Sequence, residues 1–214
     1  TDHPAFAQAK IRGIRALSGH SESTDLTNDV NGGPSGIGIA TAAGKAAFWD
    51  MMGADSSLKI IGLEGEFALT SGHSQEFKTQ AVANRVGKRL RVLMSYNNAG
   101  IDDELVGSVV KEETYDIPNQ WSSYGWNVIR LANATDYDQV VAALKTMEDW
   151  DESDRRPMIV IGNTVKGFWP GAPDGEDLPG GVKQLKDHES HAYGMPMNGE
   201  YFQALATTFE QKFD

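Results

Sequence analysis

The sequence predicts an α/β fold, a mainly parallel sheet with helices on both faces. Apolar, β-branched runs of strand length recur at Leu58 to Ile61, Arg91 to Tyr96, Asn127 to Leu131 and Met158 to Ile161. Between these runs the apolar residues fall at helical spacing. Strands alternating with helices imply crossover connections, and hence parallel neighbours covered on two sides. A chain of 214 residues with 40% hydrophobic and 23% charged side chains has the size and composition for one such domain over 1–214.

Each helix has its own signal. The first is predicted from Ile37 to Met52, where alanine is frequent and favours close packing. A second is expected from Ser74 to Val86. The third starts near Thr135, where Thr135 and Asp138 read as a capping box ahead of Val140, Val141, Leu144 and Met147, and it ends near Trp150. A polar stretch, Asp151 to Arg156, leads into the last strand. From Gly167 to Gly181 the density of Gly, Pro and Asp predicts an irregular loop, which could be a linker, though a long loop in a compact domain is more often functional or disordered. Helical spacing returns between Asn198 and Phe213, through Tyr201, Phe202, Leu205 and Phe209.

Composition excludes several classes of function. The net charge is −11, from 30 acidic and 19 basic side chains, so the surface field repels polyphosphate backbones and nucleic acid is not an expected partner. With no cysteine, there is no disulfide framework, zinc-thiolate site or redox thiol, and nothing requires an oxidising compartment. No apolar run approaches the ~18 residues of a membrane span, and Thr1 to Gln8 lack the layout of a signal peptide. The expected location is the cytoplasm. Thr1 in place of an initiating Met points to a processed, truncated or partial chain.

Four segments have the residue types that chemistry needs. Asn31 to Gly38 places glycines just ahead of the alanine-rich helix, where backbone approaches a ligand closely and helix-terminal amides face an anion. It reads equally well as a turn before a tightly packed helix. Gly62-Leu63-Glu64-Gly65-Glu66 follows the first strand, and a carboxylate beside glycine at a strand's carboxyl end is placed for a hard cation and a phosphate; the alternative is a solvated acidic turn. Tyr96 to Ile101 ends the next strand, with amide and backbone oxygens suited to magnesium, though Asn-Asn near Gly is also ordinary turn chemistry. Two consecutive strands ending in such segments can line one crevice. His20, His188 and His191 are near-neutral groups able to move protons or bind phosphate oxygens, although any one histidine is more often a surface or satisfied structural residue.

In this order the segments resemble the first domain of transketolase, from about Phe6 to about Met197. Ser18-Gly19-His20-Ser21-Glu22 is similar to that family's Pro-Gly-His-Pro-Glu loop. Gly33-Pro34-Ser35-Gly36-Ile37-Gly38 resembles its Gly-Pro-Leu-Gly-Gln-Gly loop. Glu64-Gly65-Glu66 stands at its Gly-Asp-Gly, and Tyr96 to Ile101 at its second metal-binding loop. Ser123 to Ile129 and Thr164 to Phe168 look like framework segments. His188-Glu189-Ser190-His191 is similar to its His-Asp-Ser-His.

The resemblance implies thiamine diphosphate with Mg2+ or Ca2+ as cofactors, and transfer of a two-carbon ketol unit between sugars. It implies His20 and His191 as catalytic residues, and Gly33, Pro34, Ser35, Gly65, Glu66 and His191 as cofactor-binding. Glu64, Asn98 and Gly100 are the implied metal ligands. Four departures stand out: Glu64 in place of Asp, Ala99 on the family's ligand Asn, so that Asn98 must serve one residue early, an insertion around Thr70 to His73, and two extra residues between His191 and the Gly-Met-Pro turn. The implied partner is a pyrimidine-binding domain or subunit, the implied substrates are sugar phosphates, and the implied assembly is a homo- or hetero-oligomer. Alternatives are the first component of a 2-oxo-acid dehydrogenase and a degenerate, non-catalytic cofactor-fold protein.

Overall fold

The computed structural model describes residues 29–30, 35–101, 103–107, 109–110, 115–168, 177–191 and 199–213. Four strands, β1 (Ile60–Gly65), β2 (Leu90–Tyr96), β3 (Asn127–Leu131) and β4 (Met158–Asn163), form one sheet in the order β1-β2-β4-β3. All neighbouring pairs are parallel, so the carboxyl ends of β1, β2 and β4 lie side by side. The helices are α1 (Ile37–Met51), α2 (Gly72–Ala83), α3 (Ile117–Ser123), α4 (Tyr137–Glu148), α5 (Asp187–His191) and α6 (Glu200–Phe213).

Strand side chains alternate between two cores. Val92, Met94, Ile159 and Ile161 face α1, α2 and α3 in the larger core, with Ile39, Ala46, Phe77, Ala81 and Trp121. Leu93, Met158 and Val160 point the other way, toward Ala143 and Met147 of α4. The predicted two-faced α/β architecture is therefore present, with unequal faces. Beyond the cover of α4, on the edge strand β1, Ile61 and Leu63 are 66% and 74% exposed.

Several boundaries differ from the sequence reading. β1 begins at Ile60 and runs through Gly62 to Gly65 because each residue pairs with β2, Ile60 with Leu90 through Gly65 with Ser95; ladder pairing overrides the poor strand propensity of glycine. Glu64 is thus in the strand and not after it. The third predicted helix is α4, and its cap is Asp136 instead of Thr135. The Asp136 carboxylate accepts from the amides of Asp138 and Gln139, while the Thr135 hydroxyl turns back to Asn133 at 2.6 Å. α3 was not anticipated: it is seven residues long, capped by Asp116, which accepts from the Asn119 amide. Part of the predicted 167–181 loop lies outside the described residues. No helix among the described residues is long and apolar enough to cross a membrane.

At the amino ends of the strands an arginine is buried. Arg89 is 1% exposed and donates to Asp50 at 2.8 Å and to the carbonyls of Ala54, Asp55 and Leu58. This joins the end of α1 to the start of β2. Asp50 also pairs with Arg155, ahead of β4. These contacts fix the amino ends of the strands, leaving their carboxyl ends to build a site.

Candidate functional site

In an open parallel sheet, ligands bind beyond the carboxyl ends of the strands, and the sequence motifs converge there. Gly36 starts α1 at φ 82, a left-handed conformation suited to glycine. A Cβ at Gly36 would lie 2.3 Å from the Ser74 hydroxyl. The Gly36 amide donates to Glu64 Oε2 at 3.1 Å, and Glu64 Oε1 accepts from Gly65 at 3.1 Å. Glu64 therefore ties the glycine loop to the end of β1. The predicted insertion contributes too: His73 Nε2 donates to the Ser35 carbonyl at 3.0 Å and lies 3.2 Å from the Ser71 hydroxyl.

Glu66 is a different kind of carboxylate. It is 3% exposed; its Oε2 accepts from the Asn97 amide at 3.3 Å, and its Oε1 has no partner among the described residues. Burial pushes its carboxyl above the ordinary glutamate range, with nearby backbone amides, including those of Asn97, Ala99 and Asn98, pulling the other way. Glu66 thus links the end of β1 to the loop after β2.

That loop is tightly specified. Asn98 sits at φ 55, and both ends of its amide go to one residue: Oδ1 accepts from the Val106 amide at 2.7 Å and Nδ2 donates to the Val106 carbonyl at 3.0 Å. Asn97 Oδ1 accepts from Ala99 at 2.9 Å. Gly100 is pressed on Phe67, and a Cβ there would lie 2.8 Å from two ring carbons. The Gly100 carbonyl accepts from Lys166 Nζ.

Lys166 follows β4. Its loop is held against β2, where the Thr164 amide donates to the Tyr96 carbonyl at 2.8 Å and the Thr164 and Ser95 hydroxyls lie 2.9 Å apart. At Gly167, φ 82, a Cβ would lie 2.6 Å from the Leu185 carbonyl and 2.7 Å from Ser190 Cβ. The Asp187 amide donates to the Lys166 carbonyl at 3.0 Å. So α5, which carries His188-Glu189-Ser190-His191, packs directly on the Lys166–Gly167 turn. Burial lowers the pKa of Lys166, while Glu66 and Asp187 oppose that shift.

The structure brings Ser35, Glu64, Gly65, Glu66, Asn98 and Gly100 to the carboxyl edge of the sheet. His188 is exposed on α5. His20, Gly33 and Pro34, and the side chain of His191, lie outside the described residues. Two residues at the site were not singled out from sequence, His73 and Lys166. The signal for Lys166 was present, a lone cation in the turn Thr164-Val165-Lys166-Gly167 directly after a strand.

The implied metal ligands do not form a vacant set. Asn98 is spent on Val106, the Gly100 carbonyl holds an ammonium, and Glu64 caps two amides. Among the described residues no group of three or more His, Cys, Asp or Glu side chains is placed to hold a metal ion. The groups present that favour an anion are instead the Lys166 ammonium and the amino end of α1.

Comparison with known proteins identifies the family. Residues 10–193 match the family described as transketolase, thiamine diphosphate binding domain. Transketolase 1 of Candida albicans is 27% identical over 186 residues, 78% of this chain and 26% of that protein. Transketolase of Rhodobacter capsulatus is 30% identical over 166 residues, covering 74% and 22%. One of the subunits of the apulose-4-phosphate transketolase of Phocaeicola vulgatus is 21% identical over 196 residues, covering 91% and 62%. A transketolase structure from Campylobacter jejuni superposes with a TM-score of 0.67 at 23% identity, over 90% of this chain and 27% of that one, which shows a shared fold. The chain spans about a quarter of the length of the first two relatives. The family match nonetheless takes in all four strands and the loops that follow them, and the chain belongs to the transketolase thiamine diphosphate-binding domain family.

Proposed function

We propose that this chain holds the diphosphate side of thiamine diphosphate in a transketolase-type transferase, moving a two-carbon ketol unit between sugar phosphates. The observation that carries the reading is the convergence of Ser35-Gly36, Glu64 to Glu66, Asn97 to Gly100 and Lys166 at one edge of a parallel sheet, in a chain matched by a thiamine diphosphate family. The cofactor, when bound, supplies the carbanion chemistry; the protein supplies binding, orientation and electrostatics. Lys166 and the start of α1 would receive the diphosphate. Glu66, held neutral more readily by burial, would donate or accept a proton at its free Oε1. His20 and His191 are proposed to steer substrate oxygens and protons.

A complete site on this reading needs a pyrimidine-binding domain or subunit on the cofactor's other side. In support, one relative is itself named as one subunit of a transketolase. A divalent cation is not carried into the proposal, because Asn98 and Gly100 are already committed to Val106 and Lys166. The test is titration calorimetry of the chain with thiamine diphosphate and with unphosphorylated thiamine, followed by turnover assays with its partner on a ketose donor and on a 2-oxo acid. Selective binding of the diphosphate form and ketose turnover are expected. Equal binding of both forms removes the diphosphate assignment, and turnover of only the 2-oxo acid replaces the proposed reaction.

A further inference from the structure

We infer that Lys166 serves this site as a built-in replacement for a divalent cation, so that the crevice binds a diphosphate without metal. The inference rests on the reading that the crevice accepts the diphosphate, and goes beyond it by assigning the source of positive charge. Three observations carry it. First, the ammonium of Lys166 donates to the Gly100 carbonyl, the very backbone oxygen that the family resemblance assigns to a metal. Second, the side chain assigned beside it, Asn98, has both polar ends closed on Val106, at 2.7 and 3.0 Å. Magnesium demands near-octahedral oxygen coordination, and turning Asn98 outward would break two hydrogen bonds that fold its own loop. Third, Glu66 is 3% exposed with an unpartnered oxygen, and its charge acts attractively on Lys166. A cation is therefore held on the carbonyl to which the resemblance assigns a metal, while the other implied ligand of that loop is already bonded.

The backbone makes this arrangement specific. Gly167 lies against Leu185 and Ser190 with no room for a side chain, and the Lys166 carbonyl accepts from Asp187, so the turn presenting the ammonium is clamped from behind. The charges facing Lys166 are Glu66 from the end of β1 and Asp187 from α5. A diphosphate arriving at this crevice of a chain with net charge −11 needs a fixed cation at hand, and a lysine is a compact point charge able to give one hydrogen bond to each of several oxygens.

The experiment measures binding of thiamine diphosphate and of inorganic pyrophosphate to the full chain by calorimetry, in excess chelator and in excess magnesium. It is repeated for Lys166→Met and Lys166→Arg, with melting curves confirming that each variant is folded. Bound Mn2+ is read separately by electron paramagnetic resonance. The wild type is expected to bind equally with chelator or magnesium, and to leave Mn2+ free. Loss of a charge-assisted contact predicts roughly tenfold to hundredfold weaker binding for Lys166→Met, with Lys166→Arg retaining most of the affinity. Binding strengthened tenfold or more by magnesium, or Mn2+ held by the wild type, overturns the inference while leaving diphosphate binding intact. So does unchanged affinity in Lys166→Met. No binding by the wild type under either condition overturns the diphosphate reading itself, and this inference with it.

Discussion

Lys78 offers a quantitative check on how the core beneath the site is built. It lies on α2, 1% exposed, under the Trp121 ring at 4.8 Å and the Tyr124 ring at 6.0 Å. Its ammonium donates to Gln75 Oε1 at 3.1 Å and Gln120 Oε1 at 2.7 Å, and among the described residues no carboxylate pairs with it. Burial accordingly lowers its pKa from 10.5 to about 8. For a lysine depressed in the folded state, the charged form opposes folding. The cost is fully present below the folded pKa and disappears as pH rises through the unfolded one. The shift corresponds to about 3 kcal/mol near pH 7, declining to about 1.4 kcal/mol by about pH 9.5. Lys78→Met keeps the length of the side chain and removes the titration. Urea unfolding of both proteins between about pH 7 and about pH 9.5 should show the wild type gaining about 2 kcal/mol relative to Lys78→Met. Parallel pH profiles would refute the claim that this ammonium is desolvated.

Three further outcomes follow from the same contacts. Asp50→Ala leaves the buried Arg89 guanidinium without its carboxylate and should cost about 3–5 kcal/mol in urea unfolding. Asp136→Ala removes the α4 cap, which accepts from two amides, and should cost about 1 kcal/mol, read as a lower melting temperature. Glu66→Gln should raise thermal stability near neutral pH, because burial raises this carboxyl and the ionised form is disfavoured in the folded state. The advantage should shrink as pH falls through the folded pKa and Glu66 becomes neutral, and a pH-independent difference would contradict the assignment.

The architecture was legible because its signals are local. Asn127 to Leu131 is a strand at the predicted residues, and α1 begins at Ile37 as expected, since β-branched runs and an alanine-rich register after a glycine loop are short-range properties. Where the sequence misled, tertiary contacts decided. Gly62 and Gly65 are strand residues only because β2 pairs with them. Asp136 outcompetes Thr135 as the cap because two amides point at its carboxylate. Glu64 and Asn98 lie at the carboxyl ends of β1 and β2, but their hydrogen-bond partners, Gly36 and Val106, are 28 and 8 residues away, and spacing alone does not reveal that a side chain is already occupied. Lys166 meets Gly100 across 66 residues, a contact that exists only once β4 lies beside β2.

The central claim is that the carboxyl edge of β1, β2 and β4 receives thiamine diphosphate. Backbone hydrogen exchange of the full chain with and without saturating cofactor tests it most directly. Protection is expected to rise at Ser35-Gly36, at Gly65-Glu66, from Asn97 to Gly100 and through Lys166-Gly167, while the amino ends of the strands around Arg89 and Arg155 stay unchanged. Protection confined to those amino ends, or spread evenly over both faces of the sheet with the crevice unaffected, would contradict the account.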